Sequence, residues 1–279
     1  MAQGTLWPVA NEAETRKWND EQWVESWKHR EKLTDAVTPY TLDAVGARPG
    51  QRVCDIGCGG GGVTTALASL VGADGEAVGI DLSAPLLELA RERADQAGVA
   101  NIRFVQLDVQ TDTLDEALFD LAVSQFGVMF FDEPTAAFRV IRSYLKPRGR
   151  FVFACWQSVE RNPWYLATSM RPLLPPPPVP APGKSPVGPF SLGDDEYVCE
   201  ILAAAGFGDV HGTPHETKVR APASAVFDQT MLRFMGVPPE RGDDALQIVA
   251  RHLERFAVGE DEYEYPLAFT IYRASNAKS

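Results

Sequence analysis

Positive charge is in short supply in this 279-residue chain. Its 26 lysines and arginines face 38 aspartates and glutamates, a formal net charge of −12. A surface of that sign repels a phosphate backbone unless a local basic patch offsets it. The nearest candidate, Arg139, Arg142, Lys146, Arg148 and Arg150, reads as an exposed helix face followed by a turn, so a nucleic-acid substrate is disfavoured. Long apolar runs are missing as well, and nothing approaches the roughly 18 residues of a membrane helix. The opening stretch MAQGTLWPVANEAETRKW lacks the basic start and apolar centre of a signal peptide. Cysteine is sparse: Cys54, Cys58, Cys155 and Cys199 form no CxxC pair and no disulfide framework. Packing is favoured over metal binding for them, and a reduced, cytoplasmic protein is expected. Histidine is limited to His29, His211, His215 and His252. His211 and His215 stand four apart with only Glu216 adjoining, and no metal site is expected.

What is present is a globular composition, 45% hydrophobic and 23% charged, enough for a sizeable core. Residues 1–46 read as an N-terminal helical segment. Trp23 and Trp27 share a face there and Trp18 is offset, so the segment either packs on the core or folds as a lid over a ligand. From 47 to 156 strands and helices alternate. Strands are expected at Arg52–Ile56, Ala77–Asp81, Asn101–Leu107, Phe119–Ser124 and Arg150–Trp156, with helices at Val63–Val71, from Ser83 to about Ala97, and over Pro134–Leu145. That alternation implies a parallel sheet with right-handed crossovers. Residues 157–193 hold a proline-rich connector, with nine prolines between 172 and 189, favoured over an interaction motif. The last part, 194–279, carries a helix over Asp194–Ala205, a strand over 209–219, two helical patterns within 221–257 and a final strand over Tyr263–Tyr272.

The chemistry concentrates at VCDIGCGGGG, residues 53–62. Gly57, Gly59 and Gly62 satisfy the dinucleotide fingerprint G-x-G-x-x-G, and Gly57, Gly59 and Gly61 equally satisfy G-x-G-x-G. No Lys-Ser/Thr pair follows, which excludes a nucleoside-triphosphate loop. Asp55 separates the remaining readings. A carboxylate at this strand end opposes a pyrophosphate on the following helix N-terminus and suits a ligand with an ammonium group. S-adenosylmethionine has an ammonium, a sulfonium and no phosphate. Asp81 ends the second strand, where it can accept both ribose hydroxyls, a role that fits either cofactor. Asp108 follows the third strand, where it can take the adenine amino group. Ser124 and Gln125 end the fourth, where they can border the methionine portion.

Residues 52–156 resemble class I S-adenosylmethionine-dependent methyltransferases, especially the subgroup of ubiquinone and menaquinone biosynthesis. The resemblance rests on VCDIGCGGG, VGIDLS, FVQLDVQ, FDLAVSQFGVMFF and YLKPRGRFVFACW, five motifs in order. It implies an α/β, doubly wound, Rossmann-like sheet of seven strands in the order 3-2-1-4-5-7-6, the last antiparallel. It also implies that Asp55, Gly57, Cys58, Gly59 and Gly61 form the cofactor loop. Asp81 would then bind ribose, Leu82 lie against adenine, and Asp108 and the Val109 backbone read the adenine edge. Two departures are Gly60, where a Thr-Gly pair is common, and Pro147-Arg148-Gly149 for the usual Pro-Gly-Gly.

Methyl transfer from a sulfonium needs alignment more than a catalytic triad, and the sequence shows no triad. Candidates for a general base are His29, Tyr40 and His211. Trp164, Phe190, Phe227, Met231, Phe234 and Met235 either line a pocket for a small, partly apolar methyl acceptor or form the insertions' own core. The insertions also offer a surface for a homodimer. The expected activity is methyl transfer to O, C or N of a quinone, phenol or other secondary metabolite. Two readings stand beside it: a protein of this fold that binds the cofactor without methylating, and a nicotinamide-dependent oxidoreductase.

Overall fold

The structure is a computed structural model that describes residues 12–115, 118–174 and 187–277. Three helices lead in: α1 (Glu12–Trp18), α2 (Glu21–Asp35) and α3 (Thr38–Val45). Asp20 starts α2 by accepting from the backbone N–H groups of Gln22 and Trp23. The core then alternates through β1 (Arg52–Ile56), α4 (Gly62–Val71), β2 (Glu76–Asp81), α5 (Ala84–Gln96), β3 (Ile102–Gln106), β4 (Phe119–Gln125), α6 (Pro134–Ser143) and β5 (Leu145–Trp156). After it come α7 (Leu166–Met170), α8 (Asp195–Ala204), β6 (Phe207–Ala221), α9 (Gln229–Phe234), α10 (Gly242–Leu253), β7 (Ala257–Gly259) and β8 (Glu262–Asn276). Ser83 caps α5 by accepting from the Leu86 N–H, with Pro85 in the first turn, as the sequence leads one to expect. The proline run Pro175–Pro178 lies outside the described residues.

The sheet runs β3-β2-β1-β4-β5-β8-β6. β1 to β5 are parallel, and β8 is inserted antiparallel between β5 and β6. This is the expected doubly wound order. The short β7, which no sequence pattern announced, adds an eighth strand by pairing with the start of β8. The central strands are buried residue after residue: Val53, Cys54, Leu121, Ala122, Val123, Phe151, Val152 and Phe153 are all fully buried. Continuous apolar runs of this kind mark strands covered by helices on both faces. Phe119, Phe138, Phe151 and Phe153 are buried within the core, each contributing roughly 2–3 kcal/mol of apolar burial. At the edge, β6 instead alternates exposed and half-buried residues, since only β8 pairs with it.

The largest boundary difference from expectation lies at the start of β5. The helix of residues 134–143 stops two residues short of Leu145, which opens β5 by pairing with Phe119. The next pair is Leu121 with Arg150, so Lys146–Gly149 bulge out of the strand, with Arg148 in the left-handed region at φ 63°. Burial of Leu145 against the core draws it into the sheet ahead of the turn residues.

Candidate cofactor and acceptor cavity

β1 delivers Asp55 to its carboxyl end, and the chain then turns sharply through Gly57 at φ 69° and Gly59 at φ 53°. A Cβ on Gly57 would stand 2.8 Å from the Cα of Gly127, and one on Gly59 would stand 2.9 Å from the Trp27 indole. Backbone approach on one side and a lid side chain on the other leave room only for glycine. The turn is tied to β2: the Gly57 and Cys58 N–H groups donate to the Ile80 carbonyl at 2.8 and 3.1 Å. The Gly59 N–H donates to Asp81 Oδ2 at 2.8 Å, and the Ser83 N–H to Oδ1 at 2.9 Å. Asp81 therefore holds both the glycine loop and the start of α5.

A cavity of about 660 Å³ opens over these strand ends. Asp55, Gly57, Cys58, Gly59, Asp81, Leu82, Asp108, Val109 and Gln125 all line it. Three successive strands thus place one carboxylate each on a single wall. Asp55 is buried and accepts from the Thr64 hydroxyl at 2.7 Å. Burial pushes its carboxyl up to about 7; the Thr64 bond opposes this and the nearby Asp81 adds to it. Burial also raises Asp81, against the pull of its backbone N–H donors, and raises Asp108, which accepts from the Gln110 N–H at 2.9 Å. The Cys58 thiol is pushed up by burial and by both neighbouring aspartates, so it stays protonated. Such a wall attracts cations and hydroxyl donors.

Two residues expected at the cofactor stand behind the wall. Gly61 caps α4 and packs against Ala90 and Phe104. Ser124 is buried and donates to the Ile56 carbonyl at 2.7 Å, which locks β4 to the end of β1. The proposed bases are set apart as well. His29 is half exposed on α2, 3.9 Å from the Asp228 carboxylate. Tyr40 packs on His215 and Phe269 at ring distances of 5.3 and 5.4 Å and lines a separate cavity of about 470 Å³ with Asp43 and Arg273. His211 is exposed on β6, opposite Arg273. The reason is where α3 and β6 sit. Both flank β8, away from the strand ends, and no local pattern reports that.

The N-terminal helices roof the cavity. Trp18, Trp23 and Trp27 all line it. Glu31 pairs with Arg93 at 2.7 and 2.8 Å, and Arg93 also reaches the Gly60 carbonyl, pinning α2 to the glycine loop. Asn19 donates to the Leu82 carbonyl and accepts from the Ala84 N–H, and the Ser83 hydroxyl donates to the Trp18 carbonyl. Gln125 does more than border the cavity. Its amide nitrogen donates to the Thr34 carbonyl and Thr38 hydroxyl, each at 3.0 Å, and its oxygen accepts from Thr41 at 2.8 Å. Gln125→Ala is expected to loosen α2 and α3 by about 1–3 kcal/mol, read as faster amide exchange confined to those helices.

Beyond the carboxylates the lining is largely aromatic and apolar. Phe126 stacks on Trp156 at 4.0 Å, and Trp164, Met231, Phe234 and Met235 continue the surface. Of the other two residues considered for such a pocket, Phe190 packs on Tyr165, and Phe227 rests on the core. Three lining residues carried no signal in the sequence: Lys17, Arg30 and Asp35. Asp35 is exposed at the end of α2, and desolvation followed by the Glu31 charge raises its carboxyl.

Residues 47–172 match the family model of a methyltransferase domain. The ubiquinone/menaquinone biosynthesis C-methyltransferase of Ectopseudomonas mendocina is 37% identical over 114 residues, 40% of this chain and 44% of that protein. The corresponding protein of Idiomarina loihiensis is 35% identical over 112 residues, 40% and 45% of the two chains. The chain thus spans less than half the length of the curated relatives it matches. Among solved structures, the YcgJ protein of Bacillus subtilis superposes with a TM-score of 0.59 at 17% identity, over 88% of this chain and 100% of that one. A phosphoethanolamine N-methyltransferase of Haemonchus contortus gives 0.55 at 18% identity, over 86% and 52%. These likenesses show the fold, and the motifs of β1 to β5 agree with them. Residues 47–172 thus match a methyltransferase domain, carry the fold of the solved neighbours, and resemble in sequence the C-methyltransferases of ubiquinone and menaquinone biosynthesis.

Proposed function

We propose that the protein transfers a methyl group from S-adenosylmethionine to O, C or N of a small, partly apolar molecule such as a phenol or quinol. One observation carries this reading: a single cavity joins a wall of three strand-end carboxylates to an aromatic chamber under a helical roof. The cofactor supplies a methyl group already activated on a sulfonium. Asp55 would hold its ammonium, Asp81 the ribose hydroxyls, and Asp108 with the Val109 backbone the adenine edge. Trp27 and the aromatic surface exclude water and orient the acceptor, and such alignment is worth roughly 7–11 kcal/mol in favourable cases. Asp35, held above the usual carboxylate range, is the group placed to take a proton from the acceptor.

Four free thiols support a reducing, cytoplasmic setting, and the net charge of −12 speaks against a nucleic-acid acceptor. Among the described residues no helix is long and apolar enough to cross a membrane.

Calorimetric titration tests the cofactor. S-adenosylhomocysteine is expected to bind and NAD not to; the reverse would replace this reading with an oxidoreductase. Incubation of phenols and quinols with methyl-labelled cofactor tests the transfer. Cofactor binding without labelling of any acceptor would favour a non-methylating protein of the same fold.

A further inference from the structure

The roof of the cavity holds a corner in which buried hydrogen-bond donors lack partners among the described residues. The Arg30 side chain is 15% exposed and lines the cavity, and its Nε and Nη1 are buried with no hydrogen-bond partner among the described residues. The Trp23 indole Nε1 beside it is in the same condition. Lys17 stands against the same indole, with Nζ 4.6 Å from the ring centroid, while the Arg30 guanidinium carbon lies 4.5 Å from it. Two cations therefore converge on one aromatic ring under a roof that screens them from water.

The acidic groups nearby leave these donors unsatisfied. Glu14 is engaged by Lys17 at 3.3 Å and by the Trp18 indole at 2.9 Å. Asp228 accepts from the Ser26 hydroxyl and from the Met231 N–H, and it approaches Arg30 only at Nη2, 3.8 Å away. Ser26 also takes its bond from Nη2. Glu31 is committed to Arg93. Two buried guanidinium N–H-bearing nitrogens left without acceptors are costly, so a corner of this kind calls for an acceptor from outside the chain. The surrounding surface is Trp18, Phe130, Phe234 and Met231, which suits a flat apolar body.

We propose that Arg30, supported by Lys17 and the Trp23 N–H, receives an oxyanion of the methyl acceptor, so that the natural acceptor is an aromatic or otherwise apolar acid. This rests on the reading of the cavity as a methyltransferase site. The carboxylate wall over β1 to β3 and the cationic corner on α1 and α2 then divide the cavity by charge. The wall takes the ammonium and hydroxyl groups of the cofactor, and the corner takes the acceptor's acid. The same corner could instead receive the amino-acid carboxylate of the cofactor, and the experiment separates the two sources.

The probes are 4-hydroxybenzoate and its isosteric neutral amide, 4-hydroxybenzamide, titrated with and without saturating S-adenosylhomocysteine. The wild-type protein is expected to bind the acid at least about tenfold more tightly than the amide, the worth of one charge-assisted bond. Arg30→Gln should remove that preference and Arg30→Lys should restore part of it, both keeping S-adenosylhomocysteine affinity within about threefold. Equal affinity for acid and amide, or no binding of either up to about 10 mM, overturns the proposal on wild-type protein alone. Loss of S-adenosylhomocysteine binding in Arg30→Gln with no change in the acid-to-amide ratio overturns it too, and assigns the corner to the cofactor. Failure of wild-type protein to bind S-adenosylhomocysteine would instead sink the methyltransferase reading, and the titrations without it would still decide the acid preference.

Discussion

Asp81→Ala is expected to weaken S-adenosylhomocysteine binding at least about a hundredfold, roughly 3 kcal/mol, while costing the free protein far less. The carboxylate sits at the last residue of β2 with an oxygen turned to each of two backbone N–H groups, Gly59 at 2.8 Å and Ser83 at 2.9 Å. Those bonds favour the charged form and oppose the desolvation that raises its carboxyl. Each oxygen keeps lone pairs for a hydroxyl group in the cavity, and a charged acceptor is worth about 1.5–3 kcal/mol per bond. Removing it deletes the proposed ribose acceptors and also frees the glycine loop, so two losses add in the same direction. In the free protein, water in the cavity can reach the two orphaned N–H groups, which keeps the folding cost near 1–2 kcal/mol. Asp81→Asn sharpens the test. Its amide would turn a donor toward either Gly59 or Ser83, so it should bind little better than the alanine variant despite its size. Calorimetry reads the affinity, and thermal unfolding reads the stability. Unchanged affinity in Asp81→Ala would remove the ribose assignment.

What was legible in the sequence is what is local. β1 runs over Arg52–Ile56 as read, because a short apolar run between Arg-Pro-Gly and a glycine turn leaves little choice. The carboxylates Asp55, Asp81 and Asp108 share a wall because each follows a parallel strand, and parallel strands end on one side. What was not legible is non-local. Gln125 borders the cavity as read, but its position alone does not reveal that its amide is engaged by Thr34, Thr38 and Thr41, more than eighty residues earlier in the chain. Tyr40 and His211 have the right chemistry for a base but sit beside β8, and β8 enters the sheet last. Arg30 and Lys17 look like ordinary charges on polar helices, and only the closure of α2 over the glycine loop buries them. Sequence patterns report which face of an element is apolar; they do not report which distant element will cover it.

Asp55 makes the second large effect, and it is a dependence on pH. In the free protein burial pushes its carboxyl up to about 7, so near neutrality a substantial part of it is protonated. An ammonium group placed against it favours the ionised form and lowers that value, so binding releases a proton. Affinity for S-adenosylhomocysteine is therefore expected to rise by up to about tenfold per pH unit below 7 and to level off above it. Calorimetry near pH 6.5 in two buffers of different ionisation enthalpy should detect the released proton. Asp55→Asn carries no charge to titrate. It should flatten the profile, bind weakly at pH 8 and approach the wild-type protein at low pH, where Asp55 is itself neutral. The stability of the free protein runs the other way. A carboxyl raised on folding binds its proton more tightly in the folded state, so its contribution is complete below the unfolded value near 4 and is lost as pH rises through about 7. Asp55→Asn should thus make the free protein more stable at pH 8, on the order of 4 kcal/mol at most, with the gap closing as pH falls toward 4. A flat affinity profile in the wild-type protein, or a variant that binds normally at pH 8, would show that no ammonium meets this carboxylate. The opposed signs follow from one placement: a charge held in a dry site destabilises the empty protein and is matched only when the ligand arrives.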